Sequence, residues 1–179
     1  PKVPLVFWGQ AAPNGALMRA LFWNIRGFGH DGPRRQLIEY MRDEHIDIVA
    51  IQETMRTDFS LPELVCLSSH LFAWHWLPSS GTAGHSGGIL LGVKDATFEV
   101  GSMDRGQFFV SMEIFERSLN FKWEVIIVYG PADHSRSAPF LEELHRKVSA
   151  ASLPVVVGVT LISLGSRRTR AMPTSTLPL

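Results

Sequence analysis

The sequence has few of the features that mark disulfide-bonded, secreted or membrane proteins. Its single cysteine, Cys66, excludes an internal disulfide and any zinc site built from several cysteines. No apolar run approaches the roughly 20 residues of a membrane-spanning helix. The opening stretch "PKVPLVFWGQAAPNGAL" lacks the basic-then-apolar order of a signal peptide. We therefore expect a nuclear or cytoplasmic protein with no membrane partner and no disulfide-linked partner.

An excess of charge of one sign is also lacking. Lysine and arginine together number 17, as do aspartate and glutamate, so the formal net charge is +0. The sequence thus shows no general electrostatic attraction to nucleic acid. A local basic patch would still be enough for binding, so this balance argues only weakly against a nucleic-acid partner.

What is present is typical of a globular chain. Apolar residues make up 45% of the 179 residues, which is too apolar for disorder and enough for one domain or most of a larger one. Residue 1 is proline and Met18 directly precedes an apolar run, so Met18 is a natural candidate for the start. We expect residues 1–17 to be a poorly specified extension and residues 18–158 to form the domain.

The apolar pattern predicts alternating strands and helices. Strands are expected at 19–25 and 46–54 around a helix at 33–45, which implies adjacent parallel strands joined by a crossover. Further strands are expected at 72–78 and 89–94, followed by an antiparallel meander, a helix at about 137–150 and a strand at 153–158. The run "LPELVCLSSHLF" is interpreted as apolar sequence with Cys66 as a small buried side chain. The pattern alone predicts an α/β fold, a two-layer sandwich.

Two polar residues follow buried strands at the expected carboxyl edge of the sheet. Asn24 ends the first strand and Glu53 ends the second, where sites of α/β sheets assemble. An amide and a carboxylate suit a hard cation such as Mg²⁺. The alternative is that Asn24 caps a turn and Glu53 caps the strand end or pairs with Arg56, and spacing alone favours this structural role. The seven histidines show no metal-binding spacing.

Two further segments carry weaker signals of phosphate contact. The loop "SGTAGHSGG" at 80–88 offers many backbone N–H groups, which can approach a phosphate, but a lone glycine cluster is weak evidence. Tyr129, at another strand end, could donate a hydrogen bond to a phosphate or be a half-buried tyrosine at a turn.

The order of these motifs resembles a known superfamily. "WNIRG", "DIVAIQET", "SGGILLG", "VYGP", "FLEELHRKV" and "LPVVVG" follow one another as in the endonuclease/exonuclease/phosphatase superfamily. More narrowly, they resemble the endonuclease domain of plant LINE-type (non-LTR) retrotransposons, over about residues 18–158. The resemblance implies a four-layer αββα sandwich that hydrolyses phosphodiesters with Mg²⁺ or Mn²⁺, and DNA as partner. In the retrotransposons the product is a nick in target DNA.

The resemblance also assigns roles to residues of this sequence. Glu53 would be a metal ligand, Asn24 would help to hold the metal and the phosphate, and Tyr129 would touch the scissile phosphate. The residues expected along the DNA backbone are Arg26, Ser86, Gly87 and Gly88.

The sequence departs from the family after Gly158. The family has Gly-Asp-Phe-Asn there, whose aspartate orients or activates the attacking water and whose asparagine binds the phosphate; this chain has Gly158-Val159-Thr160-Leu161. The family's later Ser-Asp-His element is absent as well. Codons permitted for residues 159–165, shifted by one nucleotide, can encode G-D-F-N-L-I-R. We therefore hypothesise a frameshift, a domain truncated and incomplete at its C-terminus, and an irregular, disordered tail at 159–179.

Three functions remain open at this point. The first is a catalytically inactive remnant of the endonuclease domain, because the metal, the positioned water and the proton acceptor act together. The second is a nucleic-acid- or protein-binding module without catalysis, which would use Arg26, Arg34, Arg35 and the glycine loop. The third is an active phosphatase or nuclease that recruits its missing groups from another chain.

Overall fold

A computed structural model describes residues 5–10, 17–79, 87–129 and 134–160. Nine strands and three α-helices lie in these ranges, in the order β1 Leu5–Gln10, β2 Leu17–Asn24, α1 Asp31–Asp43, β3 Ile48–Gln52, α2 Leu61–Ser68, β4 Phe72–Leu77, β5 Ile89–Lys94, β6 Phe98–Arg105, β7 Phe109–Glu116, β8 Phe121–Tyr129, α3 Ser137–Ser149 and β9 Val155–Thr160, with a 3-10 turn at His134–Arg136 before α3. None of these helices is long and apolar enough to cross a membrane.

The strands form two mixed sheets. The first has the order β1-β2-β3-β5-β4, in which only β2 and β3 are parallel. The second has the order β6-β7-β8-β9, an antiparallel meander closed by a parallel β8–β9 pair. Each parallel pair is joined by a helix, α1 or α3, because parallel neighbours need a crossover connection. Both predicted crossovers and the predicted meander are thus confirmed.

Alternating side chains build a core between the sheets and a further layer outside each of them. Phe22 of β2 lies in the central cluster with residues of both sheets, whereas its neighbours Leu21 and Trp23 face α1 and α2. On the other side of the molecule, Phe140 and Leu144 of α3 pack on the outer face of the second sheet. The molecule is therefore a four-layer αββα sandwich, as the resemblance implied, and not the two-layer sandwich read from the pattern alone.

Three elements differ from the expectations. β1 lies within residues 1–17, where no strand was expected, and pairs antiparallel with β2. The run around Cys66 is helix α2, and Cys66 is exposed because the helix turns Leu64 and Leu67 inward instead. The last strand, β9, ends at Thr160, two residues beyond the predicted strand end.

Candidate functional site

The parallel strands β2 and β3 end side by side, and their following loops continue the pairing. Asn24 lies opposite Gln52 in the register. The backbone N–H of Ile25 then donates to the carbonyl of Gln52 (3.0 Å), and that of Gly27 donates to the carbonyl of Glu53 (2.8 Å). Asn24 and Glu53 are therefore held at the C-terminal ends of β2 and β3, as their positions at strand ends predicted. We call this end of the first sheet the site edge.

Gly87 and Gly88, which precede β5, pair with the loop that follows β3. The N–H of Thr54 donates to the carbonyl of Gly88 (3.2 Å), and the N–H of Met55 donates to that of Gly87 (3.0 Å). A Cβ on Gly88 would lie 2.4 Å from the hydroxyl of Thr54, so only glycine fits this close approach. Gly87 and Gly88 thus lie beside Glu53, whereas Ser86 falls outside the described residues.

Backbone strain concentrates at this edge. Non-glycine residues held at positive φ cost free energy, persist only where the surrounding structure fixes them, and gather at functional sites. Among the described residues, three of the seven non-glycine residues with positive φ lie here, namely Arg26, Glu53 and Met55, and three glycines of the same loops, Gly27, Gly87 and Gly88, adopt positive φ without that cost. The three loops form a fixed backbone platform at the ends of the strands.

The two predicted ligand residues differ in exposure and in partners. Asn24 is only 4% exposed, and its side-chain oxygen Oδ1 has no hydrogen-bond partner. The side chain of Glu53 is 23% exposed, and its Oε2 lies 4.0 Å from Nε of Arg26. A buried carbonyl oxygen without a donor is rare in proteins, and an ion, water or ligand group is one explanation for it.

The alternative pairing of Glu53 with Arg56 is wrong. Arg56 instead forms two contacts with the carboxylate of Glu63 on α2, at 3.1 and 3.3 Å. The backbone N–H of Ser60 donates to the same carboxylate, and this bond is the largest of the effects that lower the pKa of Glu63. Arg56 is thus paired with Glu63 of α2. The cation that lies near Glu53 is Arg26.

A buried residue that the sequence analysis missed joins the two sheets at this edge. Gln52 is 2% exposed, and its Nε2 donates to the backbone carbonyl of Val128 at 2.9 Å. Glu53 and Tyr129 are the next residues on the two strands, so this bond brings the end of β8 to the end of β3. Val159 lies opposite Val128 in the β8–β9 register and reaches the same edge. The sequence does carry a signal for this contact. Gln52 is a polar residue at the end of the otherwise apolar strand β3, and a buried side-chain amide needs hydrogen-bond partners.

The donor set fits a small hard cation in part. The unpartnered oxygen of Asn24 and the carboxylate of Glu53 are oxygen donors of the type that Mg²⁺ accepts, and Mg²⁺ commonly keeps several waters. Within the described ranges, however, no group of three or more His, Cys, Asp or Glu side chains could hold a metal ion. The described residues therefore provide two oxygen donors of a suitable type but no cluster of acidic side chains that would enclose a metal ion.

The fold and this edge define the class of the protein. The chain belongs to the Endonuclease/Exonuclease/phosphatase family, whose sequence profile matches residues 21–158. The matched segment contains Asn24, Arg26, Glu53, the Gly87–Gly88 pair and Tyr129 and ends at Gly158. No curated protein matches the sequence significantly.

Three solved structures illustrate the likeness in fold. The human Nocturnin catalytic domain with bound sulfate is 15% identical, with a TM-score of 0.59 over 78% of this chain and 62% of that one. Humanised D. rerio TDP2 is 13% identical, with a TM-score of 0.55 over 78% and 63%. A mannosyl-6-phosphatase of Bacteroides thetaiotaomicron is 10% identical, with a TM-score of 0.56 over 78% and 63%. At these identities the likeness shows the fold, and this chain spans less than two thirds of each structure.

Proposed function

We propose that this chain is the remnant of a Mg²⁺-dependent, phosphodiester-hydrolysing endonuclease domain of a plant LINE-type retrotransposon, and that it is catalytically inactive. The single observation that carries the proposal is that Asn24, whose buried side-chain oxygen is unpartnered, ends β2 beside the end of β3, where Glu53 follows and accepts from the backbone N–H of Gly27. The narrower assignment to a retrotransposon rests on the ordered motifs of the sequence. The ancestral substrate would be target DNA.

The first role we propose is metal binding by Glu53 and Asn24. Either Mg²⁺ or Mn²⁺ suits their oxygen donors, and such an ion supplies Lewis-acid stabilisation of charge on a phosphate. Glu53 provides the negative charge, and the adjoining loops fix its backbone through Gly27. Arg26 faces the same carboxylate, so the metal and Arg26 would compete for the charge of Glu53.

The second role we propose is contact with the nucleic-acid phosphates. Arg26 is half-exposed beside Glu53, so it is accessible to a phosphate, and among the described residues no atom lies within 4 Å of the position that a Cβ on Gly87 would take. Tyr129 ends β8 next to the Gln52–Val128 hydrogen bond and would touch the scissile phosphate. Ser86 and Gly88 complete the predicted DNA-contacting set.

The loss of activity follows from the residues after Gly158. Family resemblance places a water-orienting aspartate at position 159 and a phosphate-binding asparagine at position 161, where this chain has valine and leucine. Val159 cannot accept a proton, and the described residues offer no acidic cluster at this edge to replace it. Groups that act as a unit in catalysis lose several orders of magnitude in rate when one is removed.

Two measurements on the full chain separate metal binding from catalysis. Mn²⁺ affinity, followed by electron paramagnetic resonance, should fall in Glu53→Ala by at least the roughly 10- to 100-fold that removal of an outer-shell partner costs, whereas Glu142→Ala on the exposed face of α3 should bind as the wild type does. Nicking of supercoiled plasmid with Mg²⁺ should stay at background in all three proteins. Mg²⁺-dependent nicking that Glu53→Ala abolishes would contradict inactivity and favour the recruited-group alternative.

The frameshift hypothesis has a test of its own. Sequencing the transcript across the codons for residues 150–179 should reveal Gly-Asp-Phe-Asn in a neighbouring frame at residue 158. If no frame encodes that motif there, the frameshift explanation fails, although the loss of the catalytic groups from this chain stands.

The second candidate function is a nucleic-acid-binding module without catalysis. The observation that favours it is that the side chain of Arg26, next to Glu53, is 50% exposed and so is accessible to a phosphate. Salt-dependent retention on DNA distinguishes this function from an inert remnant.

A further inference from the structure

A groove of about 410 Å³ runs between α2 and β4, on the outer face of the first sheet. Four of the side chains that line it are aromatic, namely Phe59, Phe72, Trp74 and Trp76. The others are three aliphatic side chains of α2, a serine and a histidine, so no described side chain that lines the groove is acidic. We call it the aromatic groove.

Trp76 is the most accessible of the aromatic side chains in the groove. The pleat of β4 places Phe72, Trp74 and Trp76 on one face of the strand. Phe72 and Trp74 stack on each other at 5.6 Å, and Nε1 of Trp74 donates to the hydroxyl of Ser68 at 3.1 Å. Trp76 is 37% exposed and makes an edge-to-face contact with Phe59 at 6.1 Å. Such a contact uses at most one face of the indole, so Phe59 leaves the other face for a ligand.

The aromatic groove begins next to the site edge. Leu77 lies opposite Ile89, and Ile89 lies opposite Gln52, the residue before Glu53. Trp76 is therefore one residue from the row of paired residues that ends at the site edge. It lies two strand spacings, about 10 Å, from β3. One strand of nucleic acid covers that distance in about three nucleotides, at about 3.4 Å each.

Aromatic contacts also link the groove to the loops of the site. Phe28, whose N–H donates to the carbonyl of Thr54 at 2.9 Å, meets the ring of Phe59 edge-on at 5.1 Å. The guanidinium of Arg56 lies over the same ring, 5.5 Å from its centroid. The site loops thus hold Phe59, and Phe59 supports the ring of Trp76.

We propose that the aromatic groove binds an unpaired nucleobase, stacked on Trp76, of a DNA strand whose phosphate lies at the site edge. Stacking on an aromatic side chain suits every base, because each base has a π face. In a duplex the neighbouring base pairs cover these faces, so the ligand is a single strand or a nucleotide that has left the stack. The inference rests on the proposed nucleic-acid contact of the site edge and specifies the form of DNA that this site takes.

An apolar peptide is the other ligand that an aromatic groove could take. Two observations favour the nucleobase. The groove continues from the site edge at a distance of a few nucleotides, and no described side chain that lines it is acidic, so it does not repel the phosphates that accompany a base. A peptide site would have no dependence on the bases of a bound strand, which the experiment below measures.

The test compares two labelled oligonucleotides of equal length, about ten nucleotides, by fluorescence anisotropy with the full chain. One carries thymine at every position and the other is abasic, so they have the same phosphates and differ only in their bases. The wild type should bind the thymidine oligonucleotide about 5- to 150-fold more tightly, which is the contribution of one stacked base.

Variants of Trp76 separate the aromatic face from apolar bulk. Trp76→Leu should lose most of the preference for the thymidine oligonucleotide and keep the wild-type affinity for the abasic one, which also shows that the variant is folded. Trp76→Phe retains a ring and should keep most of the preference. Met103→Ala is the matched control, since Met103 is 41% exposed on an edge strand of the other sheet, and it should bind both oligonucleotides as the wild type does.

The outcomes distinguish this inference from the proposed function. Equal binding of the two oligonucleotides by the wild type would overturn base stacking and leave the phosphate contact in place. An unchanged preference in Trp76→Leu, or the same loss in Trp76→Phe and Trp76→Leu, would show that the ring of Trp76 does not hold the base. A variant that loses affinity for both oligonucleotides equally would assign Trp76 a structural role instead. If the wild type binds neither oligonucleotide at low salt, the proposed nucleic-acid contact fails together with this inference.

Discussion

Gly158 of the second sheet lies directly against Phe22 of the first, and its lack of a side chain is a packing requirement. The ring of Phe22 occupies the space that a Cβ would take, at 1.9 Å from Cε1 and 2.2 Å from Cδ1. Phe22 is itself buried in the central cluster. The fold therefore requires glycine at position 158, independently of any catalytic role of the neighbouring residues.

Replacing this glycine should destabilise the protein. We expect Gly158→Ala to lower the free energy of unfolding in urea by about 1–3 kcal/mol, the usual cost of overpacking a core. Gly32→Ala in α1 is the control, because nothing lies within 4 Å of its Cβ position and alanine favours helix. Equal stability of Gly158→Ala and wild type would mean that the ring does not lie against β9.

Gln52 stabilises the edge in a different way, by satisfying a buried carbonyl of the other sheet. Gln52→Leu would keep the bulk of the side chain but leave the Val128 carbonyl without its donor. We expect a loss of about 1–3 kcal/mol in unfolding free energy, the penalty for an unsatisfied buried group. Gln36→Leu on the partly exposed side of α1 should change stability by less than about 0.5 kcal/mol. A Gln52→Leu variant as stable as that control would contradict a structural role for the hydrogen bond.

Helix α2 depends on a capping box and a pH-sensitive carboxylate. The Ser60 hydroxyl accepts from the N–H of Glu63, and the Glu63 carboxylate accepts from the N–H of Ser60. The backbone bond from Ser60 leads the causes that lower the pKa of Glu63, with Arg56 adding to it. The ionised carboxylate is therefore stabilised more in the folded protein than in the unfolded chain.

The sign of the pH dependence follows from that lowered pKa. The contribution of Glu63 to stability is fully present above the pKa of an ordinary glutamate and is lost as the pH falls through the lower folded-state pKa. Wild type should thus exceed Glu63→Gln in urea stability at neutral pH, and the difference should shrink in acid. Glu142→Gln, at an exposed position of α3, should show a difference that changes much less with pH. A Glu63→Gln difference that grows in acid would contradict this assignment.

Most elements follow from local sequence, and the two that were missed show where local reading fails. α1, α3 and the strands β2–β9 have apolar patterns that predict their type. α2 is only eight residues long, and its signal was the Ser60-x-x-Glu63 capping box with a proline in the first turn, which is readable but was overlooked. β1 is defined by its pairing with β2, and such a non-local partner has no local signature.

The sequence predicts which strand ends form the candidate site, but it does not predict the side-chain contacts within it. Asn24 and Glu53 come directly after buried strands, so parallel pairing brings them together. The partner of Glu53 was not predictable, because Arg56 is nearer in sequence but is held by Glu63, whereas Arg26 comes from another loop. The Gln52–Val128 bond joins residues 76 positions apart and depends on the way the two sheets stack.

At the scale of the whole molecule, the balance of positive and negative charges means that DNA could be attracted only by a local group of exposed cations. With a formal net charge of +0, attraction to phosphates must come from a few exposed cations such as Arg26. Two other cations near this side are already engaged, since Arg34 pairs with Asp31 and Arg56 with Glu63. A binding module of this kind would make few phosphate contacts and show a shallow salt dependence.

This reasoning gives a quantitative expectation for the binding-module alternative. If the chain binds DNA through this edge, the logarithm of the binding constant should fall linearly with the logarithm of salt concentration, by about 0.9 per phosphate contacted. Arg26→Ala should reduce that slope by about 1. Arg117→Ala should leave it unchanged, because Arg117 follows the end of β7, at the opposite end of the second sheet, and pairs with Glu99. Fluorescence anisotropy with a labelled duplex measures all three proteins. Equal slopes for Arg26→Ala and Arg117→Ala would mean that DNA binds away from Arg26. If the wild type does not bind DNA even at low salt, the binding-module alternative is excluded and the inactive remnant is the remaining proposal.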